Sequence, residues 1–440
     1  MLKAVVELAA YGVAATLAAV CILVWAWKWG GWSWAVRAAG FTASAANVIM
    51  TVERTTESVQ RARCVRGHAA GPALSLKKEK VQTMKQMQTR REFIGAGCAA
   101  LAGAAAANSS FAVRPEPAFM WGVLLHFGVN IQCDLPVTQW GKYKGEDLKL
   151  MTAADHVRFD EGVFDRITDR MAAKGLNTVV MDLEEALYYP SHPELAVKGT
   201  WSVERFRKKL EQLRAKGLEP IPKLNFSTTH DIWLKEYHKM VSTPQYYRVC
   251  ADVIADVIDI FDRPRYFHIG FDEETHEHQR KHSISIVRQG ELWWHDFLFI
   301  VREVEKRGVR AWCWSDKIWH AKDEFLNRMP KSVLQSNWYY GRNFDLNRPL
   351  RGDRQCNEPN AYIELEKAGF DQVPTPSNWS VDDSVSSTVA FVRQHVSPQR
   401  LKGILAAPWV KTLPQFEKLH EEQVDQMASA MFPRKLDAVD

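Results

Sequence analysis

The sequence has little of several features that would define its class at once. Only 7 of its 440 residues are cysteine and no C-x-x-C pair occurs, so neither a disulfide framework nor a structural zinc site is expected. Residues 1–112 carry 13 Lys and Arg against 5 Asp and Glu, which leaves 44 against 47 for residues 113–440. The main part of the chain therefore has no excess of basic residues. Because binding to phosphates needs a concentrated basic face, the composition argues against a nucleic-acid partner.

The first 112 residues are typical of targeting signals rather than of a folded domain. Residues 4–27 are almost wholly apolar and long enough to cross a bilayer, which predicts a membrane segment within an N-terminal extension at residues 1–83. Residues 84–112 resemble a twin-arginine export signal, because Arg90-Arg91-Glu92-Phe93 precedes an Ala- and Gly-rich apolar run.

The order of these two segments leaves two interpretations of the N-terminus. Met84 and Met87 stand directly ahead of the twin-arginine motif, so residues 1–83 are either an unusual extension or lie upstream of the true start. We expect the twin-arginine export machinery to be a partner and the mature protein, starting near Val113, to be periplasmic or extracellular. Membrane attachment is expected only through the N-terminal segment, if that segment is retained.

Residues 113–440 alternate short apolar runs with amphipathic ones, which predicts a parallel sheet covered by helices. Apolar residues spaced three and four apart predict helices at Val163–Lys174, Val203–Lys216, Pro244–Phe261 and Gly290–Lys306. The predicted strands are Trp121–Asn130, Thr178–Leu183, Glu219–Asn225, Tyr266–Phe271, Val309–Trp314, Ser332–Trp338, Asp371–Pro376 and Lys402–Trp409. Eight such units predict an α/β fold of the (β/α)8 TIM-barrel type, forming one catalytic domain. A doubly wound open sheet is the alternative, but no glycine-rich phosphate loop follows the first strand.

The residues at the strand ends are the candidate site, because the carboxyl ends of barrel strands converge on one mouth. Carboxylates, amides and aromatic rings collect there, and these groups bind the hydroxyls and the apolar faces of sugars. We therefore expect a glycan or amino-sugar substrate and no cofactor. The predicted substrate-binding residues are Asn225, His230, His268, Trp312, Trp314, Asp316, Trp338, Tyr339, Tyr340, Trp379 and Trp409.

Three consecutive acids provide the sharpest local signal. The apolar run that ends at Phe271 is followed directly by Asp272, Glu273 and Glu274. Adjacent carboxylates repel one another and raise the pKa of one member, which suits a general acid that protonates a leaving alkoxide. Asp272 and Glu273 are therefore the predicted catalytic residues. The alternative is that these acids cap the next helix.

The segment His268-x-Gly270-x-Asp272-Glu273 resembles the His-x-Gly-Gly-Asp-Glu signature of glycoside hydrolase family 20, the β-N-acetylhexosaminidases. Weaker similarities are Pro222–Asn225 with His230, Trp314-Ser315-Asp316, Trp338–Tyr340 and Ala407–Trp409. The resemblance covers roughly residues 118–430 and implies a (β/α)8 barrel with the signature at the fourth strand. Where the family has Glu, this sequence has Lys223, and Lys411 follows the last tryptophan in place of an acid.

The resemblance implies retaining, substrate-assisted hydrolysis of terminal N-acetylhexosamine, in which the acetamido oxygen of the sugar attacks the anomeric carbon. It implies that Asp272 orients the acetamide and that Glu273 acts as the general acid and then as the base. Tyr339 or Tyr340 would donate a hydrogen bond to the acetamide oxygen.

Two other classes of function stay open on the sequence. A metal-dependent hydrolase is one, because His268, Asp272, Glu273, His276 and His278 lie within eleven residues and are possible zinc or manganese ligands. A non-catalytic carbohydrate-binding barrel is the other.

Overall fold

The computed structural model describes residues 118–141 and 143–431. The predicted N-terminal extension and twin-arginine signal lie outside these residues. Within the described part, seven parallel strands form one sheet in the order β6-β5-β4-β3-β2-β1-β7. The strands are β1 Met120–His126, β2 Thr178–Asp182, β3 Glu219–Lys223, β4 Tyr266–His268, β5 Arg310–Trp314, β6 Leu334–Ser336 and β7 Gly403–Ala406.

The predicted strand Asp371–Pro376 lies between β6 and β7, where the barrel fold requires a strand, but it does not form a regular strand. On the β6 side, the segment donates two hydrogen bonds: Val373 N to Gln335 O, and Thr375 N to Asn337 O. On the β7 side, it accepts two: Pro374 O from Leu405 N, and Pro376 O from Ala407 N. These prolines have no N–H to donate, so the hydrogen-bond ladder is interrupted here. The segment still bonds to both neighbours and closes the sheet, and the architecture is the predicted TIM barrel.

Two apolar cores result from the alternation of side chains along each strand. One fills the inside of the barrel, and the other lies between the sheet and the helices. On β1, for example, Leu124 belongs to the inner core, while Val123 and Leu125 belong to the outer core. Trp312 and Trp314 on β5 both point into the barrel, because they are two residues apart.

Helices follow the strands and pack outside the sheet. All four predicted helices are present, each within one or two residues of the expected bounds. The helices are α1 Glu161–Ala173, α2 Val203–Ala215, α3 Pro244–Ile260, α4 Gly290–Glu305, α5 Lys317–His320, α6 Lys322–Arg328, α7 Glu358–Lys367, α8 Ser384–His395 and α9 Glu417–Met431. Short 3-10 helices lie at Gly145–Met151, Glu184–Ala186, Pro193–Leu195, Ile232–Met240 and Pro414–Phe416.

The caps of these helices follow from local sequence. Asp160, Ser202 and Thr243 accept hydrogen bonds from the first turns of α1, α2 and α3. No helix of the described ranges combines the length and the hydropathy that a membrane span requires.

Candidate active site

A cavity of about 330 Å³ opens at the carboxyl end of the barrel. Its volume is within the range of small-molecule sites. Asp272 and Glu273 are the only carboxylates among the cavity-lining residues of the described chain. The lining residues are His126, Ile131, Gln132, Trp140, Gly141, Tyr143, Met151, Lys223, Asn225, His230, Asp272, Glu273, His278, Trp338, Tyr340, Trp379, Trp409 and Lys411.

The strand register places charged residues side by side beneath this cavity. His126 on β1 pairs with Asp182 on β2, which in turn pairs with Lys223 on β3. Lys223 Nζ donates a 2.5 Å hydrogen bond to Asp182 Oδ1, and His126 Nδ1 lies 3.0 Å from Asp182 Oδ2. Burial alone would raise the pKa of Asp182, but the charge of Lys223 and the contact with His126 hold it well below its usual range.

His268 ends β4 inside the barrel rather than in the cavity. Its ring packs between the rings of Trp312 and Trp314, with centroids 5.0 and 4.2 Å away. The Nδ1 atom accepts a 3.1 Å hydrogen bond from Gly270 N. Burial holds the pKa of His268 well below its usual range, so the ring is neutral. The predicted substrate-binding residue His268 thus lies against the turn that carries Asp272.

Gly270 is required at this turn because Asn225 occupies the space beside it. The φ angle of Gly270 is +72°, and a Cβ atom there would lie 1.9 Å from Asn225 Oδ1. Asn225 Oδ1 accepts hydrogen bonds from Ser227 N and Phe271 N, and its Nδ2 donates to Asp272 Oδ1 at 2.8 Å. The amide therefore fixes the turn after β4 and orients the Asp272 carboxylate.

His230 joins the two predicted catalytic acids. Its Nε2 lies 3.4 Å from Asp272 Oδ2 and 3.6 Å from Glu273 Oε2. Burial favours the neutral ring, but the two carboxylates outweigh it and raise the pKa of His230 to about 10. For Asp272, burial is likewise outweighed by the charge of His230 and by the hydrogen bonds from His230 and Asn225, which lower its pKa to about 2. Asp272 is therefore an anion beside an imidazolium.

Glu273 has a strained backbone and an accessible carboxylate. Its φ angle is +55°, and its backbone N–H donates a 2.9 Å hydrogen bond to Asp316 Oδ2. The side chain is 30% exposed, and Oε1 lies 3.5 Å from His278 Nε2. A non-glycine residue in this conformation costs on the order of 1 kcal/mol and is typical of functional sites. Asp316 does not line the cavity. It holds the Glu273 backbone from behind.

Glu274, the third acid of the run, is separated from the cavity. Both of its carboxylate oxygens bond to Arg288, at 2.7 and 2.9 Å, and Arg288 also bonds to Asp296 at 3.1 Å. Arg288 is completely buried. This ion pair is structural, which explains why only two of the three acids face the cavity.

The predicted aromatic residues divide between the cavity and its surroundings. Trp338, Tyr340, Trp379 and Trp409 line the cavity, and the rings of Trp338 and Tyr340 stack with centroids 5.1 Å apart. The predicted site residues Trp312, Trp314 and Tyr339 do not line it. Trp312 donates to Ser336 Oγ at 2.7 Å, Trp314 packs edge-on behind Trp409, and Tyr339 donates to Asn343 O. Alternation along β5 turns both tryptophans into the packed barrel interior.

The predicted site residues do not include several residues that line the cavity, among them Trp140, Tyr143 and Lys411. Trp140 and Tyr143 belong to the long segment that follows β1, and such segments lie over the mouth of a barrel. Lys411 follows β7 by five residues and is 1% exposed. Its position after a strand end was the available signal.

Fold and site together define an α/β barrel that holds a carboxylate pair in an aromatic-lined cavity at its mouth. No family model matches this chain, and no curated protein matches it.

Several solved structures are similar to this chain, among them proteins of glycoside hydrolase family 20. The exo-β-N-acetylglucosaminidase of Vibrio harveyi, solved with N-acetylglucosamine, is 14% identical with a TM-score of 0.45, over 71% of this chain and 56% of that one. The β-N-acetylhexosaminidase of Bacteroides fragilis is 12% identical with a TM-score of 0.46, over 70% and 66%. Dispersin B is 15% identical with a TM-score of 0.43, over 62% and 95%. This chain thus matches little more than half the length of the Vibrio protein. At these identities the likeness concerns the fold alone.

Proposed function

We propose that this protein is a glycoside hydrolase that releases terminal N-acetylhexosamine residues with retention of configuration, using the acetamido group of the substrate as the nucleophile. One observation carries the proposal: in the described chain, Asp272 and Glu273 are the only carboxylates that line the cavity, and both follow β4. Both also contact His230, so they share one side of the cavity.

This placement favours substrate assistance over a protein nucleophile. An ordinary retaining site holds two carboxyl groups on opposite sides of the anomeric carbon, about 5–5.5 Å apart. Here no lining carboxylate of the described residues faces the pair from across the cavity. A nucleophile supplied by the sugar itself removes the need for one.

The two acids differ in environment, which supports a division of roles. Asp272 is held ionised by His230 and Asn225, and a permanent anion suits the alignment of an acetamide N–H and the stabilisation of an oxazolinium-like positive charge. Glu273 is the more exposed of the two and suits proton donation to the glycosidic oxygen, followed by activation of water.

The aromatic residues complete a site for one sugar ring. Trp338, Tyr340 and Trp409 line the cavity with their rings in mutual contact, and they would pack against the pyranose, with the Tyr340 hydroxyl donating to the acetamide oxygen. Tyr339 is less suited to that role, because its hydroxyl is bonded to Asn343 O.

The test compares acetamido and plain sugars on the native protein and on Asp272→Asn. We expect cleavage of 4-nitrophenyl N-acetyl-β-glucosaminide, near-inertness of the corresponding glucoside, and a severe loss of turnover in the variant. A thiazoline mimic of the cyclised intermediate should inhibit competitively, since species that resemble the transition state bind more tightly than substrate. A trapped glycosyl-enzyme ester, or equal cleavage of the glucoside, would refute the proposal.

A metal-dependent hydrolase remains a second candidate, but its possible metal ligands differ from those that the sequence suggested. His230, Asp272 and Glu273 offer ligand atoms that all lie within 4.8 Å of one another. His268 and His276, which the sequence suggested, do not join them: His268 is packed inside the barrel and His276 is exposed. Activity that is lost on chelation and restored by zinc or manganese would favour this candidate.

A carbohydrate-binding barrel without activity would bind amino sugars in the same cavity but cleave none of them.

For localisation, we propose export by the twin-arginine route. Changing both Arg90 and Arg91 to Lys should retain the precursor in the cytoplasm, and continued appearance of mature protein outside the inner membrane would contradict this.

A further inference from the structure

A buried lysine lines the cavity opposite the acid pair. Lys411 is 1% exposed, and in the described chain its hydrogen bonds involve only its backbone: N donates to Tyr143 Oη at 3.2 Å and O lies 3.1 Å from His420 Nε2. No described carboxylate forms an ion pair with its ammonium group. An unpaired buried cation is costly, and the cost falls when an anion binds next to it.

Of the acids near Lys411, Asp182 and Glu185 are engaged with other groups, whereas burial and the Asp182 charge raise the pKa of Glu184 well above its usual range, so that Glu184 is neutral. Asp182 is bonded to Lys223 at 2.5 Å, and Glu185 accepts hydrogen bonds from the backbone N–H groups of Val129 and Asn130. Lys411 therefore lines the cavity with no described carboxylate paired to its ammonium group. Burial lowers the pKa of Lys411 to about 8, so the group still carries its proton at neutral pH.

The barrel topology places the strand that precedes this lysine opposite the strand that precedes the acids. The segment 371–376 lies between β6 and β7 and acts as the eighth strand of the barrel. In this ring of eight, β7 is the fourth strand from β4 in either direction, so the two strands are opposite one another. Asp272 and Glu273 follow β4, whereas Lys411 follows β7. In the proposed site, a pyranose whose anomeric carbon and acetamido group lie at the acids would direct its opposite edge, carbons 4 to 6, towards the end of β7 and Lys411.

We propose that Lys411 recognises an anionic substituent, a carboxylate or a sulfate, on the C4–C6 edge of a 2-acetamido sugar. This inference rests on the proposed function for the orientation of the sugar. His126 also lines the cavity, at the end of β1 next to β7, and adds a ring nitrogen there. Charged hydrogen bonds that are shielded from water discriminate strongly between an anion and a neutral hydroxyl.

The experiment measures kcat/KM for the 4-nitrophenyl β-glycosides of N-acetylglucosamine, its 4-sulfate, its 6-sulfate and 2-acetamido-2-deoxyglucuronic acid. We expect at least one anionic substrate to exceed the neutral one by about tenfold or more. Lys411→Met should abolish that ratio, and Lys411→Arg should restore part of it. Lys402→Met is the matched control, because it removes the same charge at the opposite end of β7 and should leave the ratio unchanged.

Equal kcat/KM for neutral and anionic substrates in the native protein would overturn the inference, as would a ratio that Lys411→Met does not change. If no substrate is cleaved, the proposed hydrolysis fails, and calorimetric titration with N-acetylglucosamine and its 6-sulfate decides the inference separately. Preferential binding of the sulfate that depends on Lys411 would support it. Equal binding, or no detectable binding of either sugar, would overturn it.

Discussion

Asn225 Nδ2 donates a 2.8 Å hydrogen bond to Asp272 Oδ1, and this contact joins the end of β3 to the end of β4. The same amide accepts hydrogen bonds through Oδ1 from two backbone N–H groups, so its orientation is fixed by three partners. The position of the carboxylate is therefore determined by a residue on the neighbouring strand, not only by its own turn.

Removal of the Asn225 side-chain amide should lower the catalytic rate by more than the accompanying loss of folding stability can account for. We expect Asn225→Ala to lower kcat by about 10–100-fold, a range typical of groups that orient a functional side chain. Asn337→Ala is the matched control: Asn337 is equally buried and bonded to Glu358 O, but it lies outside the cavity lining. Steady-state kinetics at a temperature below both melting transitions tests the difference, and an equal fall of kcat in both variants would contradict it.

The contact between Gly270 and Asn225 predicts a second difference. Gly270 and Gly308 both have positive φ angles, but a Cβ at Gly308 would meet nothing within 4 Å. Gly308→Ala should therefore lower the free energy of unfolding by only about 1 kcal/mol, the cost of placing alanine in the left-handed conformation. Gly270→Ala must also displace Asn225, so we expect a larger loss of stability together with loss of activity. Chemical denaturation of both variants measures the first effect, and equal destabilisation would show that the contact is not tight.

Adjacent acids should respond in opposite ways to the same isosteric change. Glu273→Gln removes a proton donor and should lower turnover by about 10²–10⁴-fold with little change in stability. Substrates with good leaving groups should be affected less. Glu274→Gln breaks the buried pair with Arg288 and should destabilise the fold by on the order of 3 kcal/mol. An unchanged rate for Glu273→Gln on a poor leaving group would remove Glu273 from the role of general acid.

Asp316 should make the stability of the native protein depend on pH. Burial, with the neighbouring Asp272 charge, raises the pKa of Asp316 from 3.8 to about 8. Between these values the folded state binds a proton that the unfolded state lacks, so stability falls as pH rises. Asp316→Asn cannot titrate and keeps the acceptor for Glu273 N. The native protein should therefore lose stability relative to the variant by roughly 1 kcal/mol per pH unit between pH 5 and 8, measured by denaturation. A constant difference would contradict the pKa.

Local patterns determined most of the architecture. Apolar runs and helical spacings predicted the strands and the four long helices, because burial on a strand or a helix face has a fixed period. The glycines that follow the ends of α1, α2 and α4, namely Gly175, Gly217 and Gly308, have the positive φ angles that glycine favours. The run from His268 to Glu274 marked the strand end that carries the acid pair, since charged residues directly after a buried strand must lie at the sheet edge.

Which strand-end residues face the cavity was decided only by tertiary structure. Trp312 and Trp409 both pack on the inner core, yet only Trp409 lines the cavity, because Trp312 lies within β5 whereas Trp409 lies three residues beyond the end of β7. Glu274 is neutralised by Arg288, which is fourteen residues away in sequence. Lys411 meets the site only because closure of the barrel brings the end of β7 across from the end of β4, a contact between distant segments that no local pattern encodes.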